Sequence, residues 1–304
     1  MNMNWTGVMP AITTCFDDKL AVDHAFMATH CQWMMGHGCA GIVALGSLGE
    51  GATVTADEKL AILKNLRAAL GNSGPLVAAV SDLSTAGAVR FAKSAADAGC
   101  DGLMVLPPYV YKGDWREMKA HMAAVLAATD LSCMLYNNPI AYGTDFTPPQ
   151  VAELAQQHAN LHAVKESSTD VRRITAIREL IRDRLRILVG IDDMIVEGIA
   201  AGAVGWIAGL VNAFPQQSVD LLNYSVAGKH QAAFDLYRCL LPLLRLDTVP
   251  KFVQLIKFVQ QEVGMGSARV RPPRLEITPQ EAEQTRQILR LAQSRMQPSE
   301  AHSI

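Results

Sequence analysis

The sequence predicts a (β/α)8 barrel followed by a C-terminal helical extension, and three observations lead there. Short apolar runs alternate with longer amphipathic stretches about once per 30 residues, the period of a strand–helix unit. The count of such units reaches eight, where an open doubly wound sheet would stop at five or six, and no GxGxxG follows the first strand. The reactive-looking residues also gather just after the strands, at what would be one face of a barrel.

The strand runs are 7–12, 41–45, 76–80, 102–106, 132–136, 162–165, 186–189 and 204–208, each a short apolar segment such as LVAAV or SCMLY. Between them lie helical patterns, among them ADEKLAILKNLRAAL (56–70), TAGAVRFAKSAADAG (85–99) and DWREMKAHMAAVLAAT (114–129). Thr55 ahead of Ala56-Asp57-Glu58 reads as a capping box, and Gly71 and Gly99 as helix stops. From about residue 227 the pattern turns all-helical, through HQAAFDLYRCLLPLL, TVPKFVQLIKFVQQEVG and TPQEAEQTRQILRLAQSRM. The expected organisation is therefore a barrel over 1–226 with helices over 227–304 packed on it as one structural unit.

Composition narrows the function classes. The chain has 304 residues, is 50% hydrophobic and carries a formal charge of −2. A chain this long buries about 75% of its unfolded surface as one large domain. Near-neutral balance gives no reason to expect nucleic acid or an anionic membrane as partner. The six cysteines are scattered with no CxxC pair, which suits reduced core residues of a cytoplasmic protein. The N-terminal MNMNWTGVMP lacks the features of a signal peptide, and no apolar run approaches the ~20 residues of a membrane span.

The strand ends carry GSLGEG (46–51), PPYVYKGD (107–114), YNNP (136–139), KESS (165–168), GIDD (190–193) and AGLVN (208–212). Lys165 ends an apolar strand. An amine with the ordinary pKa near 10.4 is protonated at neutral pH and cannot attack a carbonyl, whereas desolvation against a barrel wall would free its lone pair. The residues alone leave two readings open: a Schiff-base nucleophile, or a strand-end cation paired with Glu166 or Asp192. Tyr136 ends the preceding strand, beside Lys165, where its phenol could relay protons or simply plug the barrel mouth. GSLGE is a glycine-rich turn whose amides and following helix favour an anion such as a carboxylate, with Ser47 adding a hydroxyl; Glu50 reads as a brace for the turn. The histidines show no HxH or HExxH spacing, so no metal site is expected, and Asp192 and Asp193 fit a helix start better than a metal pair.

GSLGE, YNNP and VKESS, in this order at strands 2, 5 and 6, together resemble the dihydrodipicolinate synthase / N-acetylneuraminate lyase family over about residues 5–295. That resemblance implies a TIM barrel with C-terminal helices, a homo-oligomer (tetramer or dimer), and Schiff-base chemistry on 2-oxo acids without metal or organic cofactor. Position by position, Lys165 corresponds to the Schiff-base lysine and Tyr136 to the proton-relaying tyrosine. Ser47, Gly46 and the backbone of Leu48 correspond to the substrate-carboxylate site, and Gly190, Asp192 and Ala208 to contacts with the far part of the substrate. The departures bear on specificity. Leu48 replaces a second hydroxyl residue of the carboxylate loop, and Ala141 stands where the synthase branch carries an arginine for a second carboxylate. Val110 replaces the family's intersubunit tyrosine, with Tyr111 one position out of step.

These losses point away from aspartate semialdehyde and from long sialic acids, toward a smaller substrate. The stretch GSLGEGAT…LPPYVYKGDWREMKAH…CMLYNNP…VKESSTDVRR most resembles the branch of 1-pyrroline-4-hydroxy-2-carboxylate deaminases of hydroxyproline breakdown. A 2-keto-3-deoxy sugar acid dehydratase or a pyruvate-releasing aldolase would use the same lysine imine and stays open. So does a barrel that has lost catalysis and only binds, against which the retained Lys165, Tyr136 and Ser47 argue.

Overall fold

The computed structural model describes residues 3–109 and 111–296. Eight strands form one sheet in the order β1-β8-β7-β6-β5-β4-β3-β2, every pair parallel. They are β1 (Gly7–Pro10), β2 (Ile42–Ala44), β3 (Leu76–Val80), β4 (Gly102–Val105), β5 (Ser132–Asn137), β6 (Leu161–Glu166), β7 (Arg186–Val189) and β8 (Gly205–Ala208). Between β1 and β2 the Ala40 amide donates to Val8 O at 2.8 Å and the Ile12 amide to Val43 O at 3.0 Å, which closes the barrel. All eight expected strands are present, their ends shifted by at most two residues.

The helices follow the periodic stretches: α1 (His24–Gly36), α2 (Ala56–Leu70), α3 (Thr85–Asp97), α4 (Trp115–Leu126), α5 (Pro139–Tyr142), α6 (Pro148–Gln157), α7 (Arg172–Ile181), α8 (Ile195–Ala200) and α9 (Pro215–Val226). After the barrel come α10 (His230–Leu244), α11 (Phe252–Glu262) and α12 (Pro279–Met296). The capping box at Thr55 and Glu58 forms as its spacing predicts, and Gly71 ends α2 with φ +52°. None of these helices is long and apolar enough to cross a membrane. The six cysteines are free, five of them buried.

Two apolar layers result from strand alternation. Met9, Val43, Val77, Met104, Met134, Tyr136, Leu188 and Ile207 fill the barrel interior, above Trp5. The alternate residues, among them Val8, Ala44, Leu135, Val164, Trp206 and Ala208, pack outward against the helices. Lys165, two residues after the inward Ala163, therefore points up the barrel axis.

One polar contact ties the C-terminal helices to the mouth. Lys257 of α11 and Glu50 of the turn after β2 form a fully buried ion pair of 2.8 Å, and Lys257 Nζ also donates to Thr14 O at 2.9 Å. The Arg271 amide donates to the other Glu50 oxygen at 3.0 Å, and the Lys257 ammonium lies 4.4 Å from the centre of the Phe16 ring. Glu50 thus braces its turn, as its position suggested. Nearby, His30 Nε2–H donates to Asn212 O at 2.8 Å, while the Asn212 amide group reaches Ala11 O and Gly209 O, both at 2.9 Å. The loop after β8 is thereby sewn to β1 and α1.

Removing one partner of a buried pair leaves an uncompensated charge. Lys257→Met should lower the unfolding free energy by about 3–5 kcal/mol in urea titrations. Adding Glu50→Gln should recover a measurable part, and an equally unstable double variant would show that the Glu50 charge is not what costs stability.

Candidate active site

Parallel pairing of β5 with β6 puts Tyr136 directly opposite Lys165. The Lys165 ammonium lies 4.1 Å from the centre of the Tyr136 ring, and both residues are buried, 6% and 5% exposed. Neither carboxylate named as an alternative partner takes the lysine. Glu166 points outward, accepting from Asn137 Nδ2 at 3.1 Å and from the Ser168 amide at 2.7 Å. Asp192 accepts from Trp206 Nε1 (3.0 Å), the Gly209 amide (3.1 Å) and the Leu210 amide (2.8 Å). Among the described residues Lys165 makes no ion pair within 4.0 Å.

The electrostatics follow from that isolation. Burial lowers the Lys165 pKa below its ordinary 10.5, and the more distant charges of Tyr142, Asp247 and Asp192 only partly oppose it. Burial raises the Tyr136 phenol, against the hydrogen bond it accepts from Asn138 Nδ2 at 3.1 Å. Burial also lifts Asp192 to about 6, although its three N–H donors favour the carboxylate. Gly190 lets the lysine pass: a Cβ there would fall 2.5 Å from Lys165 Cε and 2.0 Å from Ser167 Oγ. Ser167 Oγ itself is buried beside the lysine and near the Tyr136 phenol.

Among the described residues, the turn after β2 leaves backbone N–H groups unpaired. The Glu50 and Gly51 amides close it internally onto Ser47 O (3.1 Å) and Gly46 O (3.2 Å), and Leu45 and Glu50 adopt positive φ of 66° and 52°. The Ser47 and Leu48 amides donate to no group among the described residues. Those two free N–H groups can meet a substrate carboxylate. Leu48 changes meaning here. Its side chain is buried in the outer layer between strands and helices, so it does not make the mouth apolar; only its backbone is offered. Ala208 likewise faces that outer layer.

Sequence reasoning passed over Tyr142. Its phenol hydrogen-bonds Ser47 Oγ, and its ring stands edge-on to Tyr136 with centroids 5.7 Å apart and at the same distance from Tyr109. Asn138 places both phenols: its Oδ1 accepts from the Ala141 amide at 3.0 Å to cap α5, while its Nδ2 donates to Tyr136. The signal was an Asn-Pro start three residues before a tyrosine, a helix-opening pattern. Tyr111 is 55% exposed, and Val110 lies outside the described residues. Asp193 diverges from Asp192, pairing with Arg245 at 3.5 Å, so the two aspartates do not form a metal pair.

This arrangement can hold a small carboxylate at Ser47 and Leu48 while an uncharged amine at Lys165 adds to the carbon beside it, with phenols at hand for proton transfer.

Known proteins resemble this chain in sequence and in fold. The sequence model of the Dihydrodipicolinate synthetase family matches residues 4–292. A 4-hydroxy-tetrahydrodipicolinate synthase of Methanoculleus marisnigri is 32% identical over 286 residues, covering 93% of this chain and 98% of its own. The solved structure of the 4-hydroxy-tetrahydrodipicolinate synthase of Methylacidiphilum fumariolicum superposes with a TM-score of 0.93 at 25% identity, covering 96% of this chain and 97% of its own. A prophage protein of E. coli K12 belonging to the dihydrodipicolinic acid synthase family, solved in complex with pyruvate, gives 0.90 at 25% identity over 95% and 99%.

Because the lysine pKa is depressed, the fraction of free amine rises with pH and saturates early. Initial rates of borohydride-trapped imine formation with pyruvate should climb to a plateau whose midpoint lies below 10.5. A midpoint at or above that value would mean that the lysine is not desolvated. Tyr142→Phe should keep the fold and slow imine formation by about 10-fold or more, since Ser47 loses its phenol partner.

Proposed function

The chain belongs to the dihydrodipicolinate synthetase family, and from that premise we propose that Lys165 forms an imine with a small 2-oxo-acid-type substrate, the specific reaction being deamination of 1-pyrroline-4-hydroxy-2-carboxylate. Members of the family are class I lyases, which work through such an imine. The observation that carries the proposal is the Lys165 amine, buried, 4.1 Å from the Tyr136 ring and without an ion-pair partner. That the E. coli relative was solved in complex with pyruvate supports a 2-oxo acid as the substrate class.

The steps balance with water alone. Lys165 Nζ adds to C2 of the cyclic imine, and the ring C2–N bond breaks, leaving the ring nitrogen as an amine on C5. The protonated Lys165 imine withdraws electrons from C3, and Tyr136 takes a C3 proton, relayed through Tyr142 and Ser47. The resulting enamine expels the C4 hydroxyl as water. Proton shifts carry the double bond to C5, forming an imine that one water hydrolyses to the aldehyde and ammonia. A second water hydrolyses the lysine imine and releases 2-oxoglutarate semialdehyde. In sum, one water enters and one ammonia leaves.

Two features separate this reading from the synthase activity named for the relatives. Ala141, exposed on α5, offers no cation for a second carboxylate, and a cyclic five-atom substrate needs none. Asp192 lies on the β7 side of the lysine, where a substrate amine or hydroxyl would extend. Assembly as a tetramer or dimer and a cytoplasmic place in hydroxyproline breakdown belong to the same proposal.

Borohydride trapping with candidate substrates, followed by peptide mass spectrometry, should mark Lys165; no adduct with any 2-oxo acid would refute the imine. Ammonia release from the hydroxypyrroline should exceed pyruvate release from sugar acids. Pyruvate without ammonia would replace the deaminase with an aldolase, and dehydration of a 2-keto-3-deoxy sugar acid without ammonia would replace it with a dehydratase.

A further inference from the structure

The C-terminal extension brings a carboxylate to the barrel mouth. After α10 the chain makes a tight turn at Arg245–Thr248, and this turn is fastened to the one bearing Asp192. Arg245 pairs with Asp193 at 3.5 Å, and the Tyr237 hydroxyl donates to Asp193 O at 2.5 Å. The fastening turns Asp247 inward. Gly209, at the end of β8, leaves it room: a Cβ there would fall 2.3 Å from Asp247 Oδ1. That oxygen is shielded from solvent and has no hydrogen-bond partner.

Asp192 and Asp247 thus flank Gly209 in opposite environments. Asp192 accepts three N–H donors, which favour its carboxylate against the burial that lifts it to about 6. Among the described residues no group donates to Asp247 Oδ1, and Asp192 repels a second negative charge beside it. The Arg245 guanidinium is occupied by Asp193, and the Lys165 charge favours the Asp247 carboxylate without outweighing its burial. Burial accordingly raises the Asp247 pKa well above the usual carboxylate range, with the Asp192 charge adding to it. Two acids with divergent environments are the arrangement by which sites divide proton roles. In the strand order, Lys165 on β6 stands between Tyr136 on β5 and the β7–β8 side where Asp247 arrives.

We propose that Asp247 is a catalytic acid of this site, touching the C4 hydroxyl of the lysine-bound substrate and giving it the proton with which it leaves as water. The inference rests on the deaminase reading above and adds a residue and a role to it. Tyr136 draws the C3 proton from one side of Lys165. The enamine electrons then form the C3–C4 double bond, the C4–O bond breaks with its electron pair on oxygen, and the Asp247 proton moves to that oxygen. Asp247 is left as a carboxylate facing the lysine iminium and the C5 ammonium, and it recovers a proton from water as product leaves.

The test compares the wild type with Asp247→Asn and Asp247→Glu in three measurements: borohydride trapping of Lys165, exchange of the pyruvate methyl protons in deuterated water, and ammonia release from the hydroxypyrroline. Asn should leave trapping and exchange within about twofold and cut ammonia release by about 100-fold or more, with Glu recovering part of it. Ammonia release by Asn within about threefold of wild type would overturn the proposal. So would loss of trapping and exchange together with turnover, the signature of a structural role. A wild type that traps pyruvate but releases no ammonia would instead overturn the deaminase reading, and the proposed proton donor with it.

Discussion

The ion pair between Glu50 and Lys257 holds the active end of this barrel together. Both groups are fully buried and 207 residues apart in sequence, so neither can relax into water, and Arg274 reaches the same carboxylate only at 3.8 Å. The turn that presents Ser47 and the Leu48 amide therefore takes its position from α11, and α11 takes its seat from the barrel. Thr14 at the end of β1 joins the same ammonium, and the Arg271 amide the same carboxylate. Strand ends, the turn after β2 and the C-terminal helices are one electrostatic unit, which is why the helical extension is part of how the site is made.

The two buried lysines show how pairing decides what a charge becomes. Lys257 keeps a carboxylate at 2.8 Å, which opposes the loss of its proton. Lys165 sits among aromatic rings and backbone with no carboxylate within ion-pair distance among the described residues, so desolvation dominates over the more distant charges of Tyr142, Asp247 and Asp192. The same side chain is a buried ion-pair partner in one place and a desolvated amine without such a partner in the other. What differs is the geometry of neighbouring acids: Glu50 turns toward its lysine, while Glu166 follows strand alternation to the outside of the barrel.

Much of this was legible in the sequence. Eight parallel strands buried on both faces read as continuous apolar runs, and their period with the helices made the barrel count possible. Strand order then set Tyr136 beside Lys165 without any contact information. What stayed hidden was direction and distance. Leu48 read as a hydroxyl lost from the carboxylate loop, but sequence does not say which way a turn residue faces, and the side chain lies in the outer layer. Tyr142 was weighed only as the position next to a missing arginine, and its use depends on how a four-residue helix is aimed. Asp247 lies in a turn after a helix of the extension, with no motif around it; only tertiary packing through Arg245 and Tyr237 brings it to the barrel. Long-range placement of single polar side chains is the part that periodicity cannot encode.

The helix α5 separates two demands that active-site loops usually mix. Its first turn is anchored by Asn138 and its last residue by Ser47, so both ends are committed to the phenols. Ile140 and Ala141 between them are exposed, Ile140 by 68%, and hold nothing in place. A lineage can exchange those two side chains and meet new substrates while the proton-handling groups stay where they are. The loop after β5 is in that sense a replaceable faceplate on a fixed mechanism, and divergence of substrate choice within such a barrel needs no redesign of its chemistry.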